Sequence, residues 1–209
     1  MKEIALTAYG FLCTILPALL LYGVLHSVYR SKGILELRFR PLMIFILSVY
    51  VAGAFHFTGA GTIYHVRQYG LGAMTLNWNL VPFSSESIDI VAYLLNVVLF
   101  LPFGFLLPLL WPKQDRFWKI LLAGAAFSLL IELSQLLNIR SSDIDDLLLN
   151  TLGAVIGFVL YRAYTAIIQR KQRIETGYRA EALLYFAVMF LGHFLLFNEF
   201  GFAKILYGF

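Results

Sequence analysis

Residues 117–168 read FWKILLAGAAFSLLIELSQLLNIRSSDIDDLLLNTLGAVIGFVLYRAYTAII: two long apolar runs with a short, dense polar passage between them. Glu132, Asp143, Asp145 and Asp146 are a third of the chain's twelve acidic residues, gathered within residues 132–146. Glu132 and Gln135 fall before the first run has ended, and Asn150 falls inside the second. Each run reaches the roughly 20 residues a helix needs to cross the hydrocarbon core of a bilayer. The turn at 138–144 is too short for anything but a reversal, so the two helices are expected to be antiparallel neighbours. Acids are costly near lipid, which makes this passage the best functional clue in the chain.

The remainder of the chain fits that reading. Of 209 residues, 60% are hydrophobic and 13% charged, with a mean hydropathy of +0.79. A soluble domain is about half apolar and about a quarter charged. The 19 Phe, 12 Tyr and 3 Trp suit a chain surrounded by lipid with rings at its interfaces. The fold class expected is all-α, a polytopic transmembrane bundle of about six spans at roughly 5–27, 41–60, 89–111, 117–137, 145–168 and 181–200. The first run lacks a small-residue cleavage site and is read as a retained helix bent at Pro17. Residues 61–88 form a long non-spanning segment, with block 68–76 lying along the interface or dipping part-way in. Residues 1–168 make the main domain, and 169–209 a basic linker with an additional helix. Cys13, the single cysteine, excludes an internal disulfide.

The pI near 9.2 reports orientation rather than nucleic-acid binding, because the basic residues sit between apolar runs. Linkers after spans one, three and five hold 12 of the 16 Lys and Arg residues; the other side holds Lys2, Arg67, Arg140 and Lys204. The bias puts the basic linkers in the cytoplasm of a multi-pass cell-membrane protein. Both termini, segment 61–88 and the acidic turn are then expected on the outer face.

Helical spacing sorts the polar groups. Ser128, Glu132 and Gln135 share one face of span four, continued downward by Gly124. Asp146, Asn150, Gly153 and Gly157 share one of span five, and Asn96, Phe100, Gly104 and Pro108 one of span three. Small residues let helices approach closely, so polar groups on the same faces meet between them. The expectation is a bundle of spans three, four and five with a polar pocket opening outward, lipped by the loop carrying Asn79. Glu132 must be paired, hydrated or protonated, with Arg140 the nearest partner in sequence; a plain packing salt bridge is the competing reading. Asp143 or Asp145 serves as an ordinary helix cap, and acids in a first turn are favoured by the helix dipole. Three acids exceed what capping needs. With Glu132 they offer oxygen ligands for a divalent cation, although no spacing identifies a metal, or a site for a cationic group on a ligand. Asn77, Asn79 and Glu86 flank a turn that could equally seat on the membrane surface, with Trp78 as anchor. His56 and His65 have no ligand-like pairing, and no nucleophile elbow, phosphate-cradling loop or His-Glu-x-x-His stands in the sequence.

Four ordered passages resemble the VanZ-like membrane family: Asn79 to Phe83; Asn96 to Gly104; Ser128 to Gln135 around Glu132; and Arg140 to Gly153 with its Asp-Asp-x-x-x-Asn-x-x-Gly block. The likeness covers roughly residues 9–165, leaving the sixth span outside. The resemblance implies a link with low-level resistance to the glycopeptide teicoplanin in Gram-positive bacteria, without transferring catalytic residues.

The functional expectation is an outward pocket of Asn79, Asn96, Glu132, Gln135, Arg140, Asp143, Asp145, Asp146 and Asn150. It would bind an envelope lipid, a lipid-linked cell-wall precursor or a lipoglycopeptide, with no resident cofactor. A membrane enzyme using Glu132 and Asp146 as acid–base groups is the first alternative, and a small transporter the second. The transporter is disfavoured because the cytoplasmic helix halves read apolar.

Overall fold

The structure is a computed structural model that describes residues 2–34, 39–69, 78–79, 81–83, 90–138, 142–168 and 180–196. The helices are α1 (Lys2–Ser31), α2 (Arg40–Thr58), α3 (Ile63–Tyr69), α4 (Ile90–Leu110), α5 (Phe117–Gln135), α6 (Ile144–Ile168) and α7 (Glu181–Leu196). Two-residue strands β1 (Trp78–Asn79) and β2 (Ser142–Asp143) accompany them. This is an all-α membrane bundle. Five helices, α1, α2, α4, α5 and α6, are long and apolar enough to cross a bilayer. Helix α7 has 16 residues. Of the sixth span expected at 181–200, residues 181–196 are helical as α7, and 197–200 lie outside the described residues.

Helix ends follow local chemistry. Pro41 sits in the first turn of α2, and α2 stops at Gly59, whose φ of 69° is the left-handed cap that glycine adopts without strain. Thr62 precedes α3 and donates its backbone N–H to His65 Nδ1 at 3.0 Å, one half of a capping box. His65 is thus occupied in starting that helix. Helix α1 continues through Pro17, and α4 through Pro102 and Pro108. Of the long segment 61–88, α3, β1 and residues 81–83 are described; block 68–76 falls mostly outside.

Contacts divide the chain into two units, each discontinuous in sequence. In the first, α1, α2 and α7 pack together. A Cβ on Gly192 would overlap the Cys13 carbonyl oxygen, so α7 lies directly on the backbone of α1. At the start of α7, Glu181 is 1% exposed and accepts from the Tyr29 hydroxyl at 2.8 Å. Its other oxygen pairs with Arg40, which lies over the Tyr29 ring. Near the opposite end His193 meets the Ala60 carbonyl at 3.3 Å.

The second unit holds α4, α5 and α6 with both strands. A Cβ on Gly153 would strike the Val97 carbonyl oxygen, and one on Gly157 the Leu101 carbonyl oxygen. Equal steps of four on both helices mean that α4 and α6 run parallel with their backbones in contact. Gly104 meets the Ala154 carbonyl in the same seam, and Gly124 brings α5 onto Ala154. The small-residue faces expected from the sequence are the packing faces. Phe100, Phe103 and Phe127 fill the core beside them, with the rings of Phe103 and Phe127 stacked 5.3 Å apart. Leu94, Leu122, Leu129, Leu152 and Val159 remain exposed on the helix exteriors, where lipid covers them.

Candidate functional site at one end of the α4–α5–α6 unit

Because α4 and α6 are parallel and α5 runs back between their ends, three termini meet. They are the N-terminal turns of α4 and α6 and the C-terminal turn of α5. The positive dipole ends of α4 and α6 and the negative end of α5 therefore meet where the acids sit.

The turn leading into α6 organises the network. Asp143 precedes the first helical residue, and its Oδ1 accepts the Asp145 backbone N–H at 3.0 Å. That is a helix N-cap, the plain role expected for one of the aspartates. Asp143 also accepts from Asn79 Nδ2 at 3.2 Å, and its backbone N–H donates to Glu132 Oε2 at 3.3 Å. Strands β1 and β2 pair in parallel, Asn79 opposite Asp143, so backbone and side chain both hold the loop to the turn.

Asp145 has a different task. It is 2% exposed, and both its oxygens accept from the Phe83 backbone N–H, at 2.9 and 3.2 Å. The Tyr93 hydroxyl donates to Oδ2 as well. Phe83 has a φ of 55°, a left-handed conformation costing a bulky residue about 1–2 kcal/mol. The bond to Asp145 aims the Phe83 N–H into the protein and offsets that strain. The Phe83 and Tyr93 rings meet edge-on at 5.9 Å. Asp145 thereby clasps the 81–83 loop onto the first turns of α4 and α6.

Asp146, half-buried, accepts from Asn96 Nδ2 and so links α6 to α4. One turn deeper, Asn150 is 2% exposed and donates from Nδ2 to Ser128 Oγ at 2.9 Å, linking α6 to α5. Its Oδ1 is buried with no hydrogen-bond partner. A carbonyl in that position is destabilised by about 1–3 kcal/mol unless something donates to it. Glu132, 4% exposed, stands one turn above Ser128, and Gln135 is buried at the end of α5. Among the described residues no three His, Cys, Asp or Glu side chains converge as a metal site would require.

The structure thus brings together Asn79, Asn96, Glu132, Asp143, Asp145, Asp146 and Asn150, all expected from sequence. Arg140, the expected partner of Glu132, lies outside the described residues, as do Asn77 and Glu86. Tyr93 escaped the sequence reading. Its signal was present: Tyr93, Asn96 and Phe100 fall at i, i+3 and i+7 on one face of α4. Phe83 contributes through its backbone, which no side-chain pattern announces.

The sequence profile of the VanZ/LLP1 family matches residues 42–169, well over half of the chain. The chain belongs to the VanZ/LLP1 family. No curated protein and no solved structure matches it. The VanZ/LLP1 match takes in α4, α5, α6 and every residue of the polar network, whereas α1 and α7 lie outside it. The passages that carried the family resemblance in sequence are the ones that meet in space. In this VanZ/LLP1 chain the Asp-Asp-x-x-x-Asn-x-x-Gly block supplies, in order, the loop clasp, the link to α4, the link to α5 and the glycine that seats α6 on α4.

Proposed function

We propose that this VanZ/LLP1 protein binds a polar group of a cell-envelope molecule at the α4–α5–α6 network. The occupant would be a membrane lipid, a lipid-linked wall precursor or a lipoglycopeptide. One observation carries the reading: four carboxylates and the amides of Asn79, Asn96 and Asn150 are concentrated at one end of three membrane-crossing helices, with a buried amide oxygen left unsatisfied between them. Packing alone does not call for that density of polar groups in lipid surroundings. At the other end of the same helices, the described polar contacts include the surface pair Arg162–Asp115 at 3.1 Å and Lys119 on the Lys113 carbonyl.

The charge distribution supports an outward-facing site, since 12 of 16 Lys and Arg residues fall in the linkers after the first, third and fifth spans or in the helix turns beside them. The resemblance of the sequence passages extends the proposal to a contribution to teicoplanin-type resistance, through capture of the antibiotic or of the envelope component it meets. The test is complementation of a deletion strain under teicoplanin challenge, with Glu132→Gln and Asp146→Asn beside the wild type. Loss of protection in both, with normal membrane levels, is the expected result. Full protection by both variants refutes the site. A reporter fused at the acidic turn that reads cytoplasmic refutes the outward orientation.

A further inference from the structure

We propose that the network selects a primary ammonium group, and that Asn150 Oδ1 is one of its acceptors. This rests on the binding role proposed above and names the chemistry that the role would recognise. Asn150 is 2% exposed, its Nδ2 is committed to Ser128, and its Oδ1 has no donor. An orphaned acceptor asks for a donor, which excludes a phosphate oxygen or a carboxylate as the occupant of that point. Asp146 stands four residues before Asn150 on α6, and Glu132 four after Ser128 on α5. Side chains so spaced begin about 5–6 Å apart at Cβ. An ammonium at ordinary N–H···O distances, about 2.8 Å on each side, bridges two such acceptors. The carboxylates give the site its negative charge whatever else they bond, and Asn96 and Asp146, both half-buried, form its margin.

The choice of ammonium over a metal ion follows from the donor set. A divalent cation takes six or more oxygens, and no three acidic or imidazole side chains converge among the described residues. An ammonium needs three acceptors and tolerates an amide and a carboxylate together. A quaternary ammonium, which has no N–H, would leave Asn150 Oδ1 as it is, so the site discriminates by donor count and not by charge alone.

The same group occurs on a lipid headgroup and on free amines, and the experiment separates them. The full-length protein in detergent is titrated with short-chain phosphatidylethanolamine, phosphatidylcholine and phosphatidylglycerol, and separately with ethanolamine. Binding is read by native mass spectrometry. Saturable binding of phosphatidylethanolamine, at least about tenfold tighter than phosphatidylcholine, is expected, because only the former donates N–H bonds. Ethanolamine binding as tightly would assign the site to free amines; binding only of the lipid would assign it to a headgroup. Asn150→Leu should weaken the primary-ammonium ligand about tenfold. Asn150→Asp, which keeps the acceptor, should retain it and shows that the position tolerates substitution. Equal binding of phosphatidylcholine, or unchanged binding in Asn150→Leu, overturns the ammonium proposal. If phosphatidylglycerol alone binds and Glu132→Gln weakens it, the ammonium proposal fails while the envelope-binding role survives. If no lipid or amine binds saturably, both fail.

Discussion

Replacing Asp145 with alanine should free the 81–83 loop without dissolving the helices beneath it. The wild-type carboxylate is 2% exposed and receives the Phe83 N–H on both oxygens and the Tyr93 hydroxyl on one. Alanine leaves both donors without that acceptor, at about 1–3 kcal/mol each. It also removes a negative charge from the first turn of α6, about 0.3–1 kcal/mol more. The sum, about 2–7 kcal/mol, works against holding the loop in place, and detachment relieves the left-handed strain at Phe83, about 1–2 kcal/mol. The loop therefore leaves, and the loss seen by the whole protein is capped at the cost of opening it. Hydrogen–deuterium exchange of peptides covering Val81–Phe83 should rise about 100-fold, while peptides from α4 and α6 below Phe100 and Asn150 hold their protection. Asp145→Asn keeps one acceptor and should fall between. Exchange at Val81–Phe83 unchanged within about twofold in Asp145→Ala would refute the clasp.

The α4–α6 seam should be intolerant where backbones touch: Gly153→Leu or Gly157→Leu collides with the Val97 or Leu101 carbonyl and should cost about 3 kcal/mol or more in thermal unfolding in detergent. Gly53→Ala in α2 meets nothing within 4 Å and should be neutral or stabilising by up to about 1 kcal/mol. Ser128→Ala removes the acceptor of the buried Asn150 Nδ2 and should cost about 1–3 kcal/mol, with Ser128→Thr milder, by the same assay. In the α1–α2–α7 unit, Glu181→Ala takes the carboxylate from a guanidinium only 3% exposed and should cost about 3–5 kcal/mol, whereas Arg40→Met combined with Glu181→Met should cost less than that single change; a double-mutant cycle measures the coupling.

Much of the site was legible because it lies on helices. Helical spacing put Glu132 with Ser128 and Asp146 with Asn150, and the short turn at 138–144 made their helices neighbours, so the residues that must meet could be named. The cap at Asp143 was equally readable, since an aspartate before an apolar run has one common use. Asp145 and Tyr93 show the limit. Nothing local says that one aspartate of three will hold a distant backbone N–H, because the loop that supplies it is brought there by β1 pairing with β2 across 64 positions of chain. The Arg40–Glu181 pair joins residues 141 apart, and no pattern around either predicted it.

By itself the sequence determined the class of fold, because length and hydropathy decide whether a helix can cross a bilayer, and both are properties of a segment alone. It determined which faces would be close-packed, because glycines at steps of four are a local fact. Tertiary structure alone decided that the backbones of α4 and α6 touch at Val97–Gly153 and Leu101–Gly157, that α7 returns to α1 and α2, and that Asp145 closes a loop while Asn150 keeps an unsatisfied oxygen. Those outcomes depend on which helices meet and at what register. Register between distant segments is settled by steric fit and hydrogen bonding across the bundle, which no single segment encodes.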